Sequence, residues 1–78
     1  MNKRNRAALR QRIRQFGGAT EVGKQVATQM GRDKPYTRQA VENWFRNGSV
    51  PPEVALALES LLDFPKHKMR PDLWEDQA

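Results

Sequence analysis

Seventy-eight residues make one small domain and leave too little chain for two. No cysteine is present, which excludes a disulfide framework, a thiolate metal site and a cysteine nucleophile. Fourteen Lys and Arg against nine Asp and Glu give +5, unevenly spread: residues 1–49 carry eleven basic and three acidic side chains, net +8, and residues 50–78 carry three and six, net −3. One part of the molecule therefore attracts a polyanion and the other does not. A nucleic acid fits this asymmetry, although a cationic membrane patch gives the same signature at this level.

No apolar run approaches bilayer length. No signal-like apolar core follows the basic start Met1-Asn2-Lys3-Arg4-Asn5-Arg6, and the expected location is the cytoplasm. Helical periodicity runs nearly throughout, with no sustained alternation of period two. The expected fold is all-α: four to five helices around one small core over residues 1–65, then a short tail over 66–78 that packs on the domain or on a dimer partner.

The first helix is expected from about Asn5, as N-cap, to Phe16, with Leu9, Ile13 and Phe16 on one buried face. Lys3 and Arg4 read as a disordered arm. Arg6, Arg10 and Arg14 form a stripe at four-residue spacing, either a solvated face or a phosphate-contacting one. Gly17-Gly18 ends the helix. The second helix runs from about Ala19 to Met30, stacking Val22, Val26 and Met30, and Gly31 stops it. Arg32-Asp33-Lys34-Pro35 is a charged turn. Thr37 caps a third helix that reaches about Arg46, with Val41, Trp44 and Phe45 inward. Asn47-Gly48 closes it. Pro51-Pro52 opens a fourth helix carrying Val54, Leu58, Leu61 and Leu62, which ends at Phe64-Pro65. Beyond it lies an extended or partly ordered stretch with two expected anchors, Leu73 and Trp74.

The informative segment is Val26 to Gly48. In a helix-turn-helix, a small residue sits where two backbones meet, a glycine makes the turn, and apolar residues of the second helix point back at the first. Ala27, Gly31, Val41 and Trp44 fill those places. Thr37-Arg38-Gln39-Ala40-Val41-Glu42-Asn43-Trp44, Asn47-Gly48, Val50-Pro51-Pro52-Glu53-Val54-Ala55-Leu56-Ala57-Leu58-Glu59 and the late Met69-Arg70-Pro71-Asp72-Leu73-Trp74 resemble the phage Cro-type and YdaS-like helix-turn-helix regulators. That resemblance implies a prophage- or plasmid-type transcriptional repressor. The family's turn is shorter, so Arg32-Asp33-Lys34-Pro35 reads as a four-residue insertion. It either contacts phosphate through Arg32 or Lys34 or is only a longer surface turn.

With the inward residues assigned, Arg38, Gln39, Glu42 and Asn43 remain as candidate base readers. Arg forks onto guanine, Gln or Asn pairs with adenine, and Glu accepts from cytosine. Thr37, Arg46, Arg32, Lys34 and Arg14 are the candidate phosphate contacts. The plainer reading of Arg38 and Glu42 is an i, i+4 ion pair worth about 0.3–0.5 kcal/mol. The expected partner is double-stranded DNA, bound by a homodimer on an inverted repeat, with the Leu-rich fourth helix and the Leu73-Trp74 tail as candidate dimer contacts. Two other readings stand beside this one: an antitoxin-like protein-interaction module, and non-specific or architectural nucleic-acid binding by the N-terminal arginines. An enzyme is not expected, since the chain has one histidine and no phosphate-cradling glycine loop. The acids Glu53, Glu59 and Asp63 decorate one helix and do not form a catalytic pair. His67 is not read as a zinc ligand, and no cofactor, metal, small-molecule substrate or membrane partner is expected.

Overall fold

A computed structural model describes residues 1–74, and five helices account for most of them: α1 (Lys3–Phe16), α2 (Ala19–Gln29), α3 (Arg38–Arg46), α4 (Pro52–Leu62) and α5 (Lys66–Met69). The described residues contain no strand. Each boundary has a local cause. The Asn2 side chain accepts a hydrogen bond from the Asn5 backbone N–H at 2.7 Å, so Asn2 is the N-cap of α1. Asn5, expected as the cap, lies inside the first turn. Lys3 and Arg4, expected as a loose arm, are helical, because the cap sits before them.

Two helices end in the same hydrogen-bond pattern. Gly17 N–H donates to the Arg14 carbonyl and Gly18 N–H to that of Ile13. At the end of α2, Gly31 N–H donates to Thr28 and Arg32 N–H to Ala27. Each is a Schellman closure, satisfying carbonyls that the helix leaves orphaned. Gly31 has φ +72°, where an L side chain is strained, so its place in the turn is conformational. The Thr37 hydroxyl oxygen accepts from the Ala40 N–H at 3.1 Å and starts α3.

The core is built by every helix. Leu9 and Ile13 of α1, Val22 and Val26 of α2, Val41 and Trp44 of α3, Val54, Leu58 and Leu62 of α4 and Met69 of α5 are buried, joined by Val50 and Phe64. No polar or charged residue is buried among those described. Full burial of one such aliphatic side chain contributes about 1.5–3 kcal/mol, so these positions carry most of the favourable free energy of a domain this small. Among the described residues, no helix is long and apolar enough to cross a membrane.

Three further expectations are corrected. Phe16 is 37% exposed. It is the last residue of α1, and the glycine turn carries the chain away before anything covers its ring. The stretch after Pro65 is not extended up to Met69. α5 begins where the Glu59 carboxylate accepts the Lys66 backbone N–H at 2.8 Å, and it buries Met69 completely. Arg70 then ties the chain back, donating from Nη1 to the Val50 carbonyl at 3.0 Å and gripping Asp72 with two hydrogen bonds. That hydrogen bonding holds the Asp72 carboxyl below its ordinary value and raises Arg70 above its own. Leu73 is 48% exposed and does not anchor the end, whereas Trp74 packs partly onto the core with the Lys66 ammonium 5.2 Å from its ring centroid. Residues 75–78 of the expected tail lie outside the described residues.

Candidate nucleic-acid interface

What the site rests on is the seating of α3 against α2. Gly23 of α2 lies against the backbone that leads into α3. A Cβ there would stand 2.5 Å from the Tyr36 carbonyl oxygen and 3.3 Å from a Val41 methyl, so only glycine fits without moving the backbone. The Gly23 carbonyl in turn accepts the Tyr36 N–H at 3.3 Å. The small residue expected at this crossing was Ala27. It is buried, but one turn further along α2 than the contact. Gly31 supplies the turn, and Val41 and Trp44 point inward.

Tyr36 organises the turn between α2 and α3. Its ring meets Trp44 edge-on, with centroids 5.2 Å apart and planes at 70°. Its hydroxyl lies 3.6 Å from the Met30 sulfur, and the Arg32 guanidinium stacks 3.9 Å from its centroid. The charged turn is thus pinned through one aromatic side chain to the hydrophobic core. Sequence reasoning gave Tyr36 no role. A signal existed: it stands just before the cap Thr37 and five residues before Val41, the spacing of a hydrophobic staple.

With Val41 and Trp44 buried, α3 turns a polar surface outward, but the predicted readers do not share one side of it. Gln39 and Asn43 form an amide row with Asn47: both Gln39 Nε2 and Asn47 Nδ2 donate to the Asn43 Oδ1, at 3.2 and 3.4 Å. Asn47 was not among the expected readers. As an expected helix stop it was read for its backbone only. Arg38 and Glu42 lie along the other border, paired at 3.4 Å, with Arg38 75% and Glu42 only 17% exposed in their side chains. Glu42 is three residues from Gln39 and three from the core-packed Phe45. At about 100° per residue this places it at the edge of the outward face.

That border faces α1. A groove of about 410 Å³ runs between α1, the start of α2 and α3, lined by Arg10, Arg14, Arg38, Arg46 and Glu42 over Ile13 and Phe45. The first turn of α2, which has no side-chain cap, forms another wall. Arg14, Arg38 and Arg46 are therefore brought together. Arg32 is not with them; it lines a separate hollow with Lys24, Thr28, Asp33 and Pro35. Lys34, also exposed, belongs to the same turn between α2 and α3.

The arginines of α1 divide by function. Arg6 Nη1 donates to the Arg46 carbonyl at 2.7 Å and Arg12 Nη1 to the Leu62 carbonyl at 3.2 Å, so each cation sits at the negative end of another helix. Arg6 Nε is buried without a hydrogen-bond partner. Arg10 and Arg14, on the same stripe as Arg6, are exposed and reach the groove. Among the described residues, no cluster of three or more His, Asp or Glu side chains is placed to hold a metal ion.

Comparison with protein-family models returns no match, and comparisons with curated proteins and with solved structures return none either. The class defined by fold and site is a small all-helical domain with a basic groove beside an exposed polar helix.

Proposed function

We propose that this chain is a sequence-specific duplex DNA-binding protein of helix-turn-helix type, a Cro-like or YdaS-like repressor acting in the cytoplasm, with α3 as the helix that enters the major groove. The observation that carries this reading is the outward row of Gln39 and Asn43 on a helix whose other side is locked into the core by Gly23, Val41 and Trp44. A rigid helix presenting amides beside a cluster of arginines suits base edges flanked by phosphates. Gln39 and Asn43 read bases, with Arg38 at the border. Arg14 and Arg46 contact phosphates from the groove, and Arg32 and Lys34 do so from the inserted turn. Thr37 retains a hydroxyl hydrogen to donate to a phosphate while its oxygen caps α3.

One copy of α3 reaches only a few base pairs, so useful specificity calls for two copies on an inverted repeat with half-sites about one helical turn, ~34–36 Å, apart. Leu56 of α4 and Leu73, each about half exposed, offer apolar side chains for that pairing. Selection from a random duplex pool tests the reading. Enrichment of a two-fold-symmetric sequence is expected, and recovery of unselected sequence would leave only non-specific binding. The arginine groove favours that second reading, because phosphate attraction alone needs no amide row.

A further inference from the structure

Glu42 is out of place as a base reader. Its side chain is largely covered, it pairs with Arg38, and it stands in a groove whose other charged walls are Arg10, Arg14 and Arg46. Four guanidinium groups around one carboxylate leave a surplus of positive charge. Yet the carboxylate already occupies the position that a phosphate oxygen would take against Arg38. We propose that Glu42 is a built-in competitor for phosphate: an internal counter-ion that holds Arg38 until a duplex phosphate takes that guanidinium from it, and so weakens binding to DNA of arbitrary sequence.

The chemistry follows from the geometry. A carboxylate and a phosphodiester are both anions that accept charge-assisted hydrogen bonds from guanidinium in a forked arrangement. Arg38 is mostly exposed, so it can swing from Glu42 toward solvent-borne phosphate with little burial to lose. Glu42 cannot leave: it is fixed to α3 between Gln39 and Phe45, and its carboxylate stays near the arginines. Every phosphate that enters the groove therefore meets both the attraction of four cations and the repulsion of one anion. The repulsion is common to all sequences, whereas contacts from the Gln39–Asn43 row are not. The carboxylate thus lowers affinity for every duplex alike and leaves the sequence-dependent contacts intact, so complexes with arbitrary sequence, which lack those contacts, are the first to dissociate at a given concentration.

This inference rests on the DNA-binding reading, and its test separates the two. Glu42→Gln keeps the side chain's shape and removes the charge. It is expected to tighten binding to a scrambled duplex roughly fivefold, the scale of one fully water-screened unit-charge contact. The salt dependence should steepen by about one, as one more arginine releases a counter-ion. Glu42→Ala should change both in the same direction, so lost packing is not the cause. A loss of affinity for the selected site, with scrambled DNA unaffected, would make Glu42 a base reader and overturn the proposal. Inorganic pyrophosphate supplies a probe that needs no DNA, followed by the arginine Nε–Hε resonances in NMR spectra. Stronger binding to Glu42→Gln than to the unsubstituted chain supports the counter-ion even if neither binds any duplex, in which case the DNA reading alone fails. Equal pyrophosphate binding by both, or none by either, overturns it.

Discussion

The two sides of α3 are held by opposite kinds of interaction. Its inner side is tied to α2 and to the turn before it by close contacts: a glycine against the Tyr36 carbonyl, two buried apolar residues and an edge-on aromatic pair. Its outer side carries amide–amide hydrogen bonds and one ion pair, all in reach of water and each worth little to the fold. Residues on the inner side should thus govern stability, and residues on the outer side should govern what the molecule binds. α1 repeats the contrast on a single stripe, where Arg6 donates to the end of α3 and the Arg14 side chain, two turns away, makes no hydrogen bond or ion pair among the described residues.

The sharpest way to break the comparison is Gly23→Ala. In most helices that change stabilises, since alanine is the better helix former. Here the new methyl would overlap the Tyr36 carbonyl oxygen, and a loss of about 3 kcal/mol is expected by chemical denaturation. A gain in stability would show that α2 and α3 do not approach as described. Next come Gln39→Ala and Asn43→Ala, each expected to cost about 2 kcal/mol in affinity for the selected duplex and almost nothing on a scrambled one. Their unfolding curves should overlay that of the unsubstituted chain. If both duplexes lose equally, these amides do not read bases.

The pair Arg6→Ala and Arg14→Ala sharpens the same contrast within α1. Arg6→Ala should lower stability by about 1 kcal/mol, by removing the cation at the α3 C-terminus. Arg14→Ala should leave stability unchanged and weaken all duplexes alike, reducing the salt slope by about one. The smallest effect concerns the Arg70–Asp72 pair. Because the Asp72 value is depressed in the folded chain, its contribution is present at neutral pH and above the ordinary carboxylate range. It is lost as pH falls through the lowered value. Asp72→Asn should remove that acid-side loss, seen as a melting-temperature difference that fades at low pH and in high salt.

Much of this was written in local sequence signals. The spacing of Val41 and Trp44 gave the buried side of α3, Thr37 its start, and Gly17 and Gly31 the ends of the helices before it, because each of these depends on neighbours a few residues away. What was not legible depends on distant partners. Gly23 inside a helix reads as a weak spot by propensity, and only Tyr36 lying against it explains its place. Arg6 and Arg12 read as surface charge until the carbonyls of Arg46 and Leu62, 40 and 50 residues away, come beside them. Met69 had no periodic partner in so short a helix, and its burial comes from packing onto the α1 and α4 scaffold. The division of α3 into an amide border and an arginine border follows from where α1 lies, which no spacing within α3 records.

The most direct test is a residue-resolved titration of the ¹⁵N-labelled chain with its selected duplex. The expected result is that the side-chain amides of Gln39, Asn43 and Asn47 and the guanidinium groups of Arg14, Arg38 and Arg46 shift together at one stoichiometric end point, while Met69 and the core of α4 stay still. Shifts centred on Leu56 and Leu73, with the amide row unmoved, would contradict the assignment of α3 as the reading helix.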